Sequence, residues 1–280
     1  MNTGQTIKIT KMQGCGNDFV IIDYPEYKKS GMSMSDLAKK ICDRHFGIGA
    51  DGMLIPKTDC KEADISWYFY NNDGTTAQMC GNGIRCFAKY AWDKRLVLKK
   101  EFTVETQAGI ISPKILDNEQ IRVNMGAPVL EDKKIPFNGE RTINILGKDF
   151  NITPVSMGNP HCVIFVEGNT IEYAKKYGPH IEKHHYFPEK TNTEFVKIIS
   201  ENEVEMSVYE RGCGITLACG TGACATLVGC ILNNLTESKI KVHLPGGVVN
   251  VEWQGSKSDT NHNIFLTGSA NYSFVADYIL

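Results

Sequence analysis

Two cysteines of this 280-residue chain are followed by the same short motif. Cys80 begins Cys-Gly-Asn-Gly and Cys219 begins Cys-Gly-Thr-Gly, and each motif leads into a run of helical character. Small residues at a helix start let backbone N–H groups converge beside the thiol, and the helix start adds a partial positive charge. Both effects favour anions and lower the pKa of a cysteine. The motifs therefore indicate two reactive thiols, although a buried structural role is the commoner use of cysteine.

The two motifs lie almost half the chain apart, and other matches recur at nearly the same separation. Asn17 and Asn159 each follow a glycine and precede an apolar run, and the strand-like stretch 102–109 matches 240–247. Several short matches in the same order indicate an internal repeat. We therefore predict two related halves, each presenting one thiol at a helix N-terminus.

The pattern of apolar residues predicts many short strands and few helices. The stretch 223–232 is apolar on nearly every side, so we expect a helix buried all round. Such a helix among mostly antiparallel strands predicts an α+β fold of two pseudo-symmetric halves. Each half is then a mostly antiparallel, barrel-like sheet wrapped around a central helix, with the active site in the cleft between the halves. We place the N-terminal half at 1–125, completed by 269–280, and the C-terminal half at 126–268.

Composition argues against several classes of function. The chain has 30 Lys and Arg residues against 32 Asp and Glu residues, so no nucleic-acid footprint is visible. No apolar run approaches the length of a membrane span, and residues 1–10 lack the hydrophobic region of a signal peptide. Ten cysteines without a secretory signal favour a reducing cytoplasm over a disulfide framework. We therefore expect a cytoplasmic protein that binds neither nucleic acid nor membrane.

The cysteines also permit other interpretations. No Cys-x-x-Cys occurs in the sequence, which argues against a structural zinc site. A cysteine hydrolase would pair one thiol with His161, but it would leave the second motif without a role. A redox switch would use both thiols, but neither the glycines at the helix starts nor the neighbouring Asn, Glu and Arg residues.

One chemistry needs two thiols on related halves. If Cys80 and Cys219 face one carbon from opposite sides, a thiolate removes its proton while a thiol delivers another, and the stereocentre is inverted. The carbanion beside a carboxylate needs stabilisation, and the N–H groups of two helix starts suit that charge. The acid and the base must also be held in opposite protonation states. Nothing in this chemistry requires a metal or a cofactor such as pyridoxal phosphate.

With these features in place, the sequence resembles the diaminopimelate epimerase family, cofactor-independent two-cysteine enzymes, over essentially its whole length. Each matching motif is short, but together and in this order they are highly specific. The motifs lie at residues 16–19, 71–74, 79–86, 158–162, 191–192 and 210–224. The resemblance implies an isomerase that interconverts LL- and meso-2,6-diaminopimelate, in lysine and peptidoglycan precursor biosynthesis. It also implies two α/β halves that close over this small-molecule substrate, no cofactor, and a homodimer.

Carried over by position, the resemblance gives roles to individual residues. Cys80 and Cys219 are the two proton-transfer residues, and His161 and Glu210 tune the site. Backbone groups at the two helix starts bind the reacting carboxylate, and side chains hold the rest of the substrate. The substrate-binding residues are Asn17, Asn71, Gly81, Asn82, Asn159, Asn192, Glu210, Arg211, Gly220 and Thr221, and no residue is assigned to a metal.

Two alternatives stay open at this point. The same two-thiol scaffold would also suit a racemase of another amino acid, such as histidine, because the chemistry is indifferent to the far end of the substrate. A non-catalytic thiol redox or amino-acid-binding protein would keep both cysteines without turning over a substrate. The chain departs from the family's pattern at Gly52, Ile215 and Phe274, which bears on substrate contacts and on the dimer rather than on the thiols.

Overall fold

Strands far outnumber helices in the computed structural model, which describes residues 5–77 and 79–280. The helices are α1 (Tyr24–Lys29), α2 (Met34–Cys42), α3 (Gly81–Asp93), α4 (Thr170–Ile181) and α5 (Gly220–Leu232), with a 3₁₀ turn at Asp132–Lys134. The strands are β1 (Thr6–Gly14), β2 (Asn17–Ile21), β3 (Gly52–Lys57), β4 (Ile65–Asn71), β5 (Val104–Thr106), β6 (Gly109–Ile111), β7 (Pro113–Ile115), β8 (Ile121–Asn124), β9 (Thr142–Ile145), β10 (Lys148–Asn151), β11 (Thr153–Ser156), β12 (Pro160–Phe165), β13 (Asn192–Ser200), β14 (Glu203–Glu210), β15 (Gly214–Ile215), β16 (Lys239–Leu244), β17 (Gly247–Trp253), β18 (Ile264–Gly268) and β19 (Asn271–Ile279).

The chain forms two units. One takes the chain up to Val123 together with Gly268–Leu280, and the other is Asn124–Thr267. Each unit has one large mixed sheet and few helices. The predicted α+β class with two halves is therefore confirmed. Among the described residues, none of the helices has the length and apolar character needed to cross a membrane.

The sheet of the first unit is mixed. Its order is β19-β1-β2-β3-β4-β5-β6, in which β2–β3 and β4–β5 are parallel and the other neighbours antiparallel. The turn between β1 and β2 has positive φ at both central residues, 53° at Cys15 and 80° at Gly16. Turns of this kind match the twist of a two-residue hairpin, so Asn17 begins β2. Helices α1 and α2 make the crossover from β2 to the parallel strand β3.

The second unit repeats this topology along its own stretch of chain. Its sheet runs β11-β12-β13-β14-β16-β17-β18, in which β12–β13 and β14–β16 are the parallel pairs. Helix α4 makes the crossover from β12 to β13, as α1 and α2 do from β2 to β3. Helix α5 follows β14 as α3 follows β4. The predicted internal repeat is therefore confirmed at the level of topology.

Neither sheet closes into a barrel in the part of the chain that the structure describes. The barrel-like part of the prediction is wrong because helices cover both faces of each open sheet. Alternate residues of β12 show this, since Ile164 packs in the core formed with α4 while Val163 meets Gly229 of α5. A sheet covered on both faces buries its apolar residues without closing on itself. In α5, residues 222–230 are all buried, whereas Ile231 and Leu232, which end the stretch predicted to be buried all round, are only partly buried.

Three buried thiols predict a loss of stability in alkali. Burial raises the pKa of Cys42, Cys86 and Cys230 to about 12, from an ordinary value of 9.0. Between about pH 9 and 12 the unfolded chain therefore releases protons that the folded chain keeps. Each thiol then lowers the free energy of unfolding by about 1.4 kcal/mol per pH unit, so the three together lower it by on the order of 4 kcal/mol per pH unit. Stability from this source is complete below pH 9 and is lost as the pH rises.

Urea unfolding in the presence of a reductant tests this expectation between pH 7 and 11. We expect the midpoint of unfolding to fall steeply above pH 9. A Cys230→Ala variant should show a smaller slope, because one of the buried thiols that ionise only after unfolding is gone. A midpoint that stays level up to pH 11 would show that these thiols ionise as readily in the folded chain as in the unfolded one.

Candidate active site

Both repeated cysteines cap a central helix. Cys80 is the N-cap of α3 and Cys219 is the N-cap of α5, each with an extended backbone. The sulfur of Cys80 accepts a hydrogen bond from Gly83 N–H, and the sulfur of Cys219 accepts one from Gly222 N–H, both at 3.4 Å. An extended N-cap residue directs its side chain back over the first turn, where helix N–H groups lack partners. Each thiol therefore lies at the positive end of its helix.

Two asparagine side chains adjoin Cys80 in the first unit. Cys80 Sγ donates to Asn17 Oδ1 at 3.4 Å, and Asn82 Nδ2 donates to the same oxygen at 3.2 Å. Asn17 Nδ2 donates to Asp51 Oδ2 at 2.6 Å, and the fully buried Arg85 donates to Asn82 Oδ1 at 2.9 Å. The structure thus brings together three residues that the sequence analysis named, Asn17, Cys80 and Asn82.

Asn71 belongs to a different hydrogen-bonding group. It ends β4, and its Nδ2 donates to Thr75 Oγ1 at 3.0 Å within the turn that follows the strand. Its backbone N–H donates to Thr75 O at 2.8 Å. These bonds fix the turn that leads the chain towards α3. A substrate contact of Asn71 stays a prediction.

A chain of polar side chains leads away from Cys219 in the second unit. Thr221 Oγ1 lies 3.5 Å from Cys219 Sγ, and Asn159 Nδ2 donates to Thr221 Oγ1 at 3.5 Å. Asn159 Oδ1 lies 3.0 Å from His161 Nε2. The other ring nitrogen, His161 Nδ1, lies 2.7 Å from Glu194 Oε1, and both of these side chains are fully buried. The structure therefore links Asn159, His161 and Thr221 to the second thiol.

Glu194 is a further residue at this site, and it was not predicted from the sequence. Its Oε2 is buried without a hydrogen-bond partner, so the carboxylate depends on His161 for compensation. Asn159 Oδ1 can only accept, and it faces His161 Nε2, so that nitrogen carries a hydrogen in this arrangement. A signal was available, because Glu194 follows Asn192 by two residues on β13 and alternate strand residues share a face.

Burial dominates the acid–base properties of Cys219. Burial raises the pKa of this thiol well above its usual range, and the carboxylates of Glu210 and Glu194 raise it further. Hydrogen bonds from Thr221 and Gly222 act in the opposite direction. The expectation that a helix start lowers the cysteine pKa is therefore wrong for Cys219, because desolvation outweighs the helix terminus. Burial also raises the pKa of Glu210, although the Thr216 hydroxyl donates to its carboxylate.

Asn192 joins two loops of the second unit. Its Nδ2 donates to Pro160 O at 2.8 Å, and its Oδ1 accepts from the backbone N–H of Arg211 at 3.0 Å. The side chain is buried and both of its polar groups bond to backbone. Asn192 therefore holds the start of β12 beside the end of β14. A direct contact with substrate remains a prediction.

Glu210 and Arg211 turn to different partners at the end of β14. The Glu210 carboxylate accepts from Thr216 and lies near Cys219. The Arg211 guanidinium is exposed and donates to Glu189 O at 3.3 Å. The buried Glu182 fixes the turn that follows, because its Oε1 accepts from Gly212 N–H at 2.9 Å. The side chains of Glu210 and Arg211 thus bind different partners and do not form an ion pair with each other.

The described residues contain no group of three or more His, Cys, Asp and Glu side chains arranged to hold a metal ion. The groups around both thiols are instead amides, hydroxyls, one imidazole and carboxylates. This set can orient a small polar molecule and can take up or release protons. Acid–base chemistry is therefore the chemistry for which these side chains are equipped.

Solved structures with the same fold have been determined for other proteins. A phenazine biosynthesis protein of the PhzF family from Bacillus anthracis matches 99% of this chain and 100% of its own, with a TM-score of 0.69 at 16% sequence identity. A hydroxyproline epimerase from Agrobacterium vitis matches 100% of this chain and 94% of its own, with a TM-score of 0.69 at 12% identity. The fold and the two capping thiols define the class, a two-unit α+β protein of this fold with one cysteine at the head of each central helix.

Sequence comparison identifies the family within this class. The sequence profile described as diaminopimelate epimerase matches residues 9–131 and 153–273. The diaminopimelate epimerase of Carboxydothermus hydrogenoformans is 47% identical over 98% of this chain and 100% of its own length. The chain belongs to the diaminopimelate epimerase family, and the predicted enzyme class, an isomerase, is confirmed with it.

Proposed function

We propose that this protein interconverts LL- and meso-2,6-diaminopimelate, in lysine and peptidoglycan precursor biosynthesis. The observation that carries the proposal is the pair of capping thiols, Cys80 and Cys219, at equivalent places of a repeated topology. Membership of the diaminopimelate epimerase family supplies the substrate. The two thiols act as acid and base, so the proposed reaction uses neither a metal nor a cofactor.

In one direction the Cys219 thiolate takes the proton from the α-carbon of the substrate. The C–H electron pair stays on the carbon and is delocalised into the adjacent carboxylate. Cys80 then gives its S–H proton to the opposite face and becomes the thiolate. In the other direction the same steps run with the two thiols exchanged. The proposed donors to the reacting carboxylate are the backbone N–H groups of Gly81, Asn82, Gly220 and Thr221.

The groups behind Cys219 are proposed to tune this exchange. Formation of the Cys219 thiolate is the demanding step, because burial and nearby carboxylates raise the pKa of the thiol. His161 offsets the charge of Glu194 when it carries a proton on each ring nitrogen. Burial raises the pKa of Glu210, so this side chain can take up a proton. Once neutral, it no longer raises the pKa of the Cys219 thiol.

Incubation with LL-diaminopimelate in D₂O tests the proposed function. We expect the meso isomer to appear with deuterium at the inverted α-carbon, measured by chiral chromatography and mass spectrometry. A parallel binding measurement separates the non-catalytic alternative from catalysis. Tight binding without deuterium incorporation would indicate a binding protein, and neither binding nor incorporation would remove diaminopimelate as the substrate.

We propose that the working enzyme is a homodimer in the cytoplasm. Strand β19 is the edge of the first unit's sheet, and it pairs with β1 on one side. Its apolar residues Tyr272, Phe274, Val275 and Ile279 are 38–67% exposed. Exposed apolar residues on an edge strand favour contact with a second chain. Light scattering should give twice the mass of one chain, and a monomer at micromolar concentration would contradict the proposal.

Gly83 and Gly222, whose backbone N–H groups donate hydrogen bonds to the two thiols, offer a matched pair of substitutions. A Cβ at Gly222 would lie 2.8 Å from Glu194 Oε1 and 3.2 Å from Cys219 Sγ, whereas one at Gly83 would meet Cys80 and Phe19 at 3.4 Å. Because Glu194 is bonded to His161, the Gly222→Ala variant should move the thiol instead. Misplacement of a reacting group by about 1 Å can cost roughly 10²-fold in rate.

We therefore expect Gly222→Ala to lower the epimerisation rate by about 10²-fold, while Gly83→Ala stays within a few-fold of the original enzyme. Alanine is favoured over glycine in a helix by up to about 1 kcal/mol, so Gly83→Ala should fold at least as well. Initial rates and thermal melting of both variants check this. Equal losses in the two variants would show that the crowding at Gly222 has no bearing on Cys219.

A further inference from the structure

A hydrogen-bonded chain in the first unit runs between two charged side chains of fixed polarity. At one end the carboxylate of Asp51 can only accept, and at the other the guanidinium of Arg85 can only donate. Two amides lie between them. Asn17 Nδ2 donates to Asp51 Oδ2, Asn82 Nδ2 donates to Asn17 Oδ1, and Arg85 donates to Asn82 Oδ1, at 2.6, 3.2 and 2.9 Å.

The polarity of this chain sets the direction in which the Asn17 amide points. Its NH₂ group must face Asp51, so its carbonyl oxygen faces Cys80 Sγ at 3.4 Å. A carbonyl oxygen accepts a hydrogen bond from a thiol and repels a thiolate. Asn82, oriented by Arg85, donates to the same oxygen and so opposes reversal of the amide.

We propose that Asp51 and Arg85 are positioning residues that aim the Asn17 carbonyl oxygen at Cys80 and so favour the thiol form of Cys80 in the free enzyme. The inference rests on the proposed function and deepens it, because it names residues that set the protonation of one of the two catalytic thiols. At this site the S–H bond of Cys80 breaks, its proton goes to the carbanion, and the sulfur keeps the electron pair as a thiolate.

The equivalent amide of the second unit points the other way. Asn159 Oδ1 faces His161 Nε2, and Asn159 Nδ2 donates to Thr221 Oγ1. The Thr221 oxygen accepts from Asn159, so the hydroxyl hydrogen of Thr221 points away from Asn159. Cys219 Sγ, 3.5 Å from the Thr221 oxygen, can accept it. A hydroxyl that donates to sulfur favours the thiolate. The amides beside the two thiols therefore point in opposite directions, and Cys219 in addition faces the carboxylate of Glu210.

Other charged groups adjoin the chain and must be separated from its effect. Arg44 donates to Asp51 Oδ1 at 2.7 Å and to Asp18, and Asp18 also pairs with Lys11 at 2.7 Å. Other titratable groups on the elements that pack against α3 are Cys15 beside Arg85, Lys8 on the exposed part of β1, Lys57 of β3 over the Tyr68 ring, and Lys114 of β7 paired with Glu101. Helix α3 itself also carries Cys86, Lys89, Tyr90 and Asp93. Asp18 carries the same charge as Asp51 in the same network, but its carboxylate bonds to Lys11, Arg44 and the Asp51 N–H. Asp18 is therefore the matched control for a through-space effect of charge.

Alkylation of each thiol by iodoacetamide, resolved by peptide mass spectrometry from pH 6 to 10 without substrate, tests the proposal. In Asp51→Asn, Arg44 retains the side-chain oxygen, and the new NH₂ group faces the Asn17 NH₂ group and the Asp18 N–H, which both donate to Asp51 Oδ2 in the original protein. The Asn17 amide therefore loses the acceptor that holds it, and its carbonyl oxygen is no longer fixed towards Cys80. Cys80 then loses its fixed acceptor, so its alkylation midpoint should fall by about one pH unit and its rate at pH 7 should rise about ten-fold. Cys219 serves as the internal control, and its profile should not move.

Asp18→Asn should leave the Cys80 profile where it is in the original protein. Asn17→Ala removes the acceptor itself and should also lower the Cys80 midpoint, which keeps the test decisive if Asp51→Asn does not fold. An unchanged Cys80 profile in the folded variant, or an equal shift in Asp18→Asn, would overturn the proposal. The alkylation profile is measured without diaminopimelate. It therefore stands even if diaminopimelate is not the substrate, and an unchanged profile would not contradict diaminopimelate turnover.

Discussion

Replacing Cys80 or Cys219 by serine is expected to lower the rate of epimerisation by about 10³-fold or more. Each thiol is the proposed acid or base on its own side of the reacting carbon. A serine hydroxyl ionises far less readily than a thiol, so at neutral pH it is a much poorer base. The measurement is the initial rate at which LL-diaminopimelate gives the meso isomer, and the reverse.

The other thiol in each serine variant should still act on one stereoisomer. We expect exchange of the α-hydrogen with solvent to persist for one isomer in each variant, and for opposite isomers in the two. Cys86→Ala and Cys224→Ala are matched controls, because these buried cysteines lie within the same two helices without capping them. A serine variant that inverts both isomers at close to the original rate would rule out the two-thiol mechanism.

Replacing Arg211 by methionine is expected to abolish turnover of diaminopimelate while both thiols stay reactive. Diaminopimelate carries a second ammonium and a second carboxylate at its far end, and an exposed guanidinium can bind that carboxylate as a two-pronged donor. A site built to pair a charged substrate can reject an uncharged one by roughly 10⁴-fold. The backbone bond from Arg211 N–H to Asn192 survives the substitution, so the turn should keep its shape.

Arg141→Met is the control for loss of an exposed arginine in the same unit, where Arg141 pairs with Asp132 at 2.6 Å. It should turn over diaminopimelate normally. The original enzyme should then be compared on diaminopimelate, histidine, lysine and glutamate. Faster racemisation of histidine than of diaminopimelate would overturn the substrate assignment and leave the two-cysteine chemistry in place.

The sequence by itself determined the two thiols and the repeat. A cysteine before Gly-x-Gly and an apolar run specifies an N-cap through local geometry, and Cys80 and Cys219 occupy that position. The bounds of helix α2 are also set locally, because Ser33 caps it and its apolar residues recur at helical spacing. Strand β19 was not predicted as a strand, since its residues are mostly exposed and its structure depends on pairing with β1.

The tertiary structure alone decided which groups surround each thiol. Asp51 meets Asn17 across 34 residues of sequence, and Glu194 meets His161 across 33. Both contacts arise where parallel strands, β2 with β3 and β12 with β13, bring distant segments side by side. No local sequence pattern predicts such pairing. Nor does one predict the burial that raises the pKa of Cys219, which outweighs the lowering effect of the helix N-terminus. Residue types and spacing therefore named the chemistry, whereas desolvation and long-range hydrogen bonds set the protonation of the groups that perform it.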